Sequence, residues 1–198
     1  MGYFTDCLDL FALKDDTYRK VGNDPQAFKK FFLAYLIVMY GMMAFIGIFA
    51  AIGVSFFMPE GIPFPQWAVL GILVVFLICP FICFIFTYII TLIPHVIGLA
   101  LGGNPRSYND FFKVIQYNYP FAFPLTVLFQ NIFGPVYAVW YFFMLYKTYR
   151  IIHKLEPQQA GWAIGINLII CLAFVGLIVL VVFYVLTSYP WMMQGMNF

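Results

Sequence analysis

The placement of charge constrains this chain more than any other feature. Its 198 residues hold ten Lys and Arg and eight Asp and Glu. These fall in three clusters and one isolated glutamate. The first cluster runs from Asp6 to Lys30. The second holds Arg106, Asp110 and Lys113, the third Lys147, Arg150, Lys154 and Glu156, and Glu60 stands alone. The runs between them, 31–59, 61–105, 114–146 and 157–198, carry no charge. Each is long enough to cross a bilayer, which takes roughly 20 apolar residues. The composition is 64% hydrophobic and 9% charged, whereas a soluble domain carries about 25% charged residues. A water-solvated fold is excluded, and so is disorder, which needs low hydrophobicity and high charge. A net charge of +2 gives no basic footprint for nucleic acid, so no nucleic-acid partner is expected.

The number of crossings follows from the bias of Lys and Arg toward the cytoplasm. Residues 1–30, with five of them, are taken as cytoplasmic. Spans at about 31–57 and 67–101 then leave the Lys- and Arg-free loop outside and return Arg106 and Lys113 inside. If residues 120–152 formed one span, Lys147, Arg150 and Lys154 would lie outside. Two spans, 120–133 and 135–152 with a turn at Gly134-Pro135, keep all ten Lys and Arg inside. A last span covers about 160–187. The expected fold is all-α: a polytopic transmembrane helical bundle forming one membrane domain over 1–198. It has five spans, a cytoplasmic N-terminus, an outside C-terminus and short interfacial helices. The third span is short, which points to a tilted or re-entrant segment. The second is overlong, at about 52 Å of helix against a hydrocarbon core near 30 Å. Its cytoplasmic end must protrude or bend, and Pro80 and Pro94 are placed to kink it.

Outside the spans, Phe4, Leu8 and Phe11 share one helical face with Asp6 and Asp9 opposed, the pattern of a helix lying on the membrane. Ser107 with Asp110 three residues on resembles a capping box. Phe111, Phe112, Ile115 and Tyr119 then face the membrane from a second interfacial helix. Tyr189 and Trp191 suit the headgroup level.

Little of the sequence carries chemistry. Cys79 and Cys83 share a face of the second span but lack further soft ligands for a metal. Cys7, near the membrane surface, is a loose candidate for S-acylation. His95 is the one ionisable side chain inside the spans, and an intramembrane ionisable group suggests function. Its place near the cytoplasmic end reads as capping or interfacial. His153 lies in a basic segment and is expected to be solvated. Lys147, Arg150 and Lys154 form one helical stripe that can hold anionic headgroups or an acidic partner. Gly98 with Gly102, and Gly161 with Gly165, allow close helix approach. No nucleophile–base set, metal motif or phosphate loop is visible, so neither an enzyme nor a cofactor is expected.

The stretch His95-x6-Gly102-Gly103-x3-Ser107-x9-Tyr117-x2-Pro120 resembles the Yip family of five-span (Ypt/Rab-interacting) membrane proteins, with Trp140 and the basic segment 147–154 fitting the remainder. In that family a Gly-Gly pair ends the second span. A Ser or Thr starts a short amphipathic segment, and a Tyr precedes the Pro that opens the third span. The N-terminal pattern looks like the short prokaryotic members. The resemblance implies the five-span fold and a bacterial or archaeal cytoplasmic membrane, with an endomembrane as the alternative.

The expected function is that of a non-enzymatic scaffold or accessory subunit of a larger membrane assembly. Its partners would be membrane lipids, other integral membrane subunits and a cytoplasmic protein, met through Arg106, Lys113, Lys147, Arg150 and Lys154. The alternatives are a small channel or transporter for an uncharged or weakly charged solute, and a membrane-shaping protein of the trafficking type.

Overall fold

The computed structural model describes residues 2–57, 66–104 and 108–188. Arg106, the Ser107 helix start, Tyr189 and Trp191 lie outside them. The described residues form helices and no strand: α1 (Tyr3–Phe11), α2 (Asp15–Asn23), α3 (Ala27–Phe57), α4 (Gln66–Ala100), α5 (Tyr108–Gln116), α6 (Tyr119–Leu128), α7 (Gln130–Ile151) and α8 (Pro157–Ser188). Three stretches are long and apolar enough to cross a membrane: Ala27–Phe49, Val74–Ala100 and Pro157–Val185. They fall at the first, second and last expected spans.

Packing is uneven along these helices. Buried side chains gather at one end, where α1, α2 and α5 sit among the first turns of α3 and α8 and the last turns of α4 and α7. Phe31, Tyr35, Tyr149, Ile152, Ala160 and Ala163 are all buried there. We call this charged, closed end the cap. Away from it the apolar surface is uncovered. Leu172, Leu180 and Phe183 on α8 are 63%, 66% and 65% exposed. Such a surface is stable in lipid, which an apolar side chain does not need to leave.

α4 runs 35 residues as one helix with Pro80 and Pro94 inside it. Its final turns protrude into the cap, where Thr91 and His95 are buried. Each proline removes one N–H and loosens the ladder near it. Tyrosines from other helices take carbonyls in these regions. Tyr35 donates to the Pro80 carbonyl (3.0 Å), Tyr40 to Leu77 (3.1 Å) and Tyr149 to Pro94 (2.7 Å).

The helix α5 is not interfacial, contrary to the sequence reading. Phe111, Phe112, Val114 and Ile115 are buried against protein rather than facing the membrane. Its two buried polar side chains, Lys113 and Gln116, have partners, which removes the cost of taking them from water. Gln116 donates to Thr91 Oγ1 (2.8 Å), and Lys113 pairs with Asp110 (2.8 Å). In α1, Phe4 and Leu8 face outward, 59% and 44% exposed, as the expected membrane-facing stripe would. Asp6, however, is buried and pairs with Lys20 of α2.

The turn expected at Gly134-Pro135 lies instead at Phe129. Its carbonyl already accepts from the Ile132 and Phe133 amides (3.0 and 2.9 Å), which makes Phe129 the cap residue of α7. Gln130 and Asn131 follow at the tip, where first-turn amides lack intrahelical acceptors. α6 has 10 residues, about 15 Å of helix. That is half the thickness of a hydrocarbon core near 30 Å, and the chain then turns back along α7.

Candidate functional site

The end of α4 builds the first arrangement. Gly102 has φ +89°, a conformation that glycine adopts without a Cβ penalty. The Gly103 amide donates to the Gly98 carbonyl (3.0 Å) and the Gly102 amide to Leu99 (3.0 Å). This pair of bonds is the Schellman cap, and it stops α4. The tight turn presses Gly98 and Gly103 against His153. A Cβ on Gly98 would lie 2.8 Å from His153 Cδ2, and one on Gly103 3.0 Å from His153 Cβ. The glycines are therefore a cradle for that ring.

His153 is not solvated. It is 1% exposed, which corrects the expectation from its basic neighbours. Its Nδ1 lies 3.3 Å from the Asn104 carbonyl, and the Asn104 amide donates to the His153 carbonyl at 2.7 Å. A carbonyl only accepts, so this contact assigns the proton of the neutral ring to Nδ1. Nε2 is left buried without a partner. Burial, with the His95 ring facing it, depresses the pKa to about 4, although the Asn104 bond acts the other way. His95 is also buried, its ring 5.0 Å from that of His153 and 5.3 Å from both Tyr108 and Phe111. Among the described residues neither imidazole forms an ion pair; the nest is aromatic and neutral.

Tyr149 ties this nest to α8. Its hydroxyl donates to the Pro94 carbonyl and accepts from Asn167 Nδ2 (2.8 Å), which also donates to Ala163 (2.7 Å). Tyr149→Phe leaves the carbonyl and part of the amide without their partner. The expected loss is about 1–3 kcal/mol, read as a lower midpoint of thermal unfolding in detergent. An unchanged midpoint would show that this hydroxyl does not link the helices.

The other residues of the Yip-like pattern lie elsewhere. The Tyr117 carbonyl accepts from the Tyr3 hydroxyl (2.7 Å) and from Cys7 Sγ (3.6 Å). Pro120 is in the first turn of α6, where a missing amide is harmless. Trp140 Nε1 donates to the Phe11 carbonyl (2.9 Å), and its ring stacks on Phe11 at 4.3 Å. Tyr117 and Trp140 thus hold α1, while His95, Gly102 and Gly103 surround His153. Cys7 is fully buried and its thiol is pushed up to about 12 by burial. A protonated, enclosed thiol is a poor nucleophile, which removes it as an S-acylation candidate.

The second arrangement is a basic cleft of about 540 Å³ between α2 and the end of α7. It brings together Lys147, Arg150 and Lys154 and adds Arg19, but Lys154 lies past the end of α7 rather than on the helical stripe expected for the three. Lys147 pairs with Asp15 (2.6 Å), and Arg150 donates to the Leu155 carbonyl (2.8 Å). Lys113 does not belong here: it is buried beside Asp110 rather than available to lipid. Sequence reasoning missed Arg19. The signal was there, since Asp15, Arg19 and Asn23 recur every four residues and so share one helical face. Lys154 sits at φ +57°, a conformation costing roughly 1–2 kcal/mol for a residue with a Cβ. The lysine occupies a position where glycine would be easier.

Among the described residues no group of three or more His, Cys, Asp or Glu side chains converges as metal ligands. Cys79 and Cys83 share a face of α4, their sulfurs 3.8 Å apart. Comparison with protein-family models, with curated proteins and with solved structures finds no match.

Proposed function

We propose that this chain is a non-enzymatic integral membrane protein, a short prokaryotic-type relative of the Yip proteins, that serves as a scaffold or accessory subunit of a larger membrane assembly. The observation that carries the reading is the division between a closed cap and the uncovered helices beyond it. From Leu168 to Val185 every residue of α8 is exposed. Those side chains do not hold this chain's own fold together, and they leave a long lateral surface for other membrane subunits. Packing between helices in lipid relies on close contact rather than on a hydrophobic drive.

In this reading α3, α4, α6, α7 and α8 are five membrane-embedded segments, with the cap in the cytoplasm of a bacterial or archaeal cell. The short α6 turns back before the far side, and the N-terminus and the cluster at 147–156 remain together on the cytoplasmic side. The C-terminus is outside. The basic cleft is the cytoplasmic contact for anionic groups.

The test is gentle extraction through a tag on the N-terminus, followed by native mass measurement and protein identification. Larger membrane partners in fixed stoichiometry are expected. A lone monomer or homo-oligomer with full biological activity would overturn the scaffold role.

A further inference from the structure

The basic cleft shares a wall with a second cavity. A groove of about 550 Å³ runs between α7 and α8, and Tyr146 lines both. The two have opposite chemistry. The cleft presents Arg19, Lys147, Arg150 and Lys154 against one carboxylate, Asp15. The groove is lined by Phe142 and Phe143 on α7 and by Gly161, Ile164 and Leu168 on α8, reaching Val139 at its far end. From Tyr146 to Val139 it follows α7 for about 10 Å. The cations lie at one end of a trough whose remainder is hydrocarbon. Tyr146 marks the boundary, where a tyrosine has an apolar body and a polar tip to offer.

We infer that the two cavities form one site for an anionic phospholipid, with the phosphate headgroup in the cleft and one acyl chain in the α7–α8 groove. A soluble anion would use only the cleft and leave the groove without purpose. A zwitterionic lipid would bring a cation toward four others. Basic pockets at the cytoplasmic ends of membrane helices suit anionic headgroups in this way. Two of the cations are available for it: Arg19 and Lys154 form no ion pair among the described residues. The space beside Gly161 is open, since a Cβ there would meet nothing within 4 Å.

This site rests on the membrane reading alone. It is tested on the purified chain, so failure of the scaffold role leaves it standing. Lipid-depleted protein in neutral detergent is titrated with dioleoylphosphatidylglycerol, with the phosphatidylcholine of the same chains, and with glycerophosphoglycerol, the headgroup without tails. Bound lipid is read by native mass and by the rise in unfolding midpoint. The glycerol lipid is expected to bind about tenfold more tightly than the choline lipid. The pair Arg19→Gln with Lys154→Gln is expected to remove that preference. Gly161→Phe, which fills the groove, is expected to weaken lipid binding about fivefold; if its own midpoint falls, the smaller Gly161→Leu takes its place. Equal binding of the two lipids would overturn the headgroup assignment. Full competition by glycerophosphoglycerol, or no effect of filling the groove, would overturn the acyl assignment and leave an anion cleft for a soluble partner.

Discussion

Gly103→Ala is expected to destabilise the cap by about 3 kcal/mol. The added Cβ would lie 2.5 Å from the Gly98 carbonyl oxygen and 3.0 Å from His153 Cβ. The first of these is backbone, held by the bond that ends α4, so no side-chain rotation relieves the clash. Either the Schellman turn opens or the His153 loop moves away from it. Gly165→Ala supplies the comparison within the same protein, because a Cβ there meets nothing within 4 Å and alanine has the better helix propensity. Thermal unfolding in detergent gives the midpoint. Labelling of Cys7 in a chain whose other cysteines are replaced reports opening of the cap. Gly103→Ala should lower the midpoint and expose the thiol, and Gly165→Ala should do neither. Equal midpoints for Gly103→Ala and wild type would show that α4 ends without this turn.

Acidification is expected to destabilise the protein through His153. The ring has a pKa of about 4 when folded and 6.5 as its reference value. Between those values the unfolded chain binds more protons, so stability rises with pH. The contribution is complete above about 6.5 and is lost as pH falls toward the folded value. Between pH 7.5 and pH 5 the loss is about 2 kcal/mol. The groups facing this ring are His95 on α4, Tyr149 on α7 and Phe111 on α5; none is a carboxylate that would hold the imidazolium. His153→Gln should flatten the dependence. Its own constant penalty cancels when slopes rather than midpoints are compared. Parallel slopes for the two proteins would assign the acid sensitivity to other groups.

Sequence reading reached the helical class and the three long apolar stretches because an uncharged run of that length has few other uses. Comparing length with bilayer thickness led it to expect that one end of α4 protrudes or bends, and the final turns do reach into the cap. It also placed Lys147, Arg150 and Lys154 together, although the helical stripe it drew through them ends at Arg150, because α7 stops at Ile151. It failed where the answer depended on what lies opposite. Phe111, Phe112 and Ile115 give α5 the same periodicity whether their face meets lipid or protein, and only the contacts distinguish the two. The burial of His153 depends on Gly98 and Gly103, about fifty positions away in sequence, and nothing in its basic neighbourhood records it. Gly134-Pro135 is the strongest local breaker of its stretch, yet α7 continues through it. Proline near the start of a helix interrupts few bonds, and membrane helices accommodate the remainder.

The uneven packing along α8 has a mechanical consequence. A shaft that touches its own protein only near its base is compliant where it meets the acyl chains and stiff where it meets the cap. Changes in bilayer thickness can be absorbed by leaning the outer turns of α8, at a fraction of a kcal/mol per ångström. The bonds around Asn167, Tyr149 and Pro94 act as the clamp at the base. The cap therefore keeps its shape while the lipid around the shaft varies.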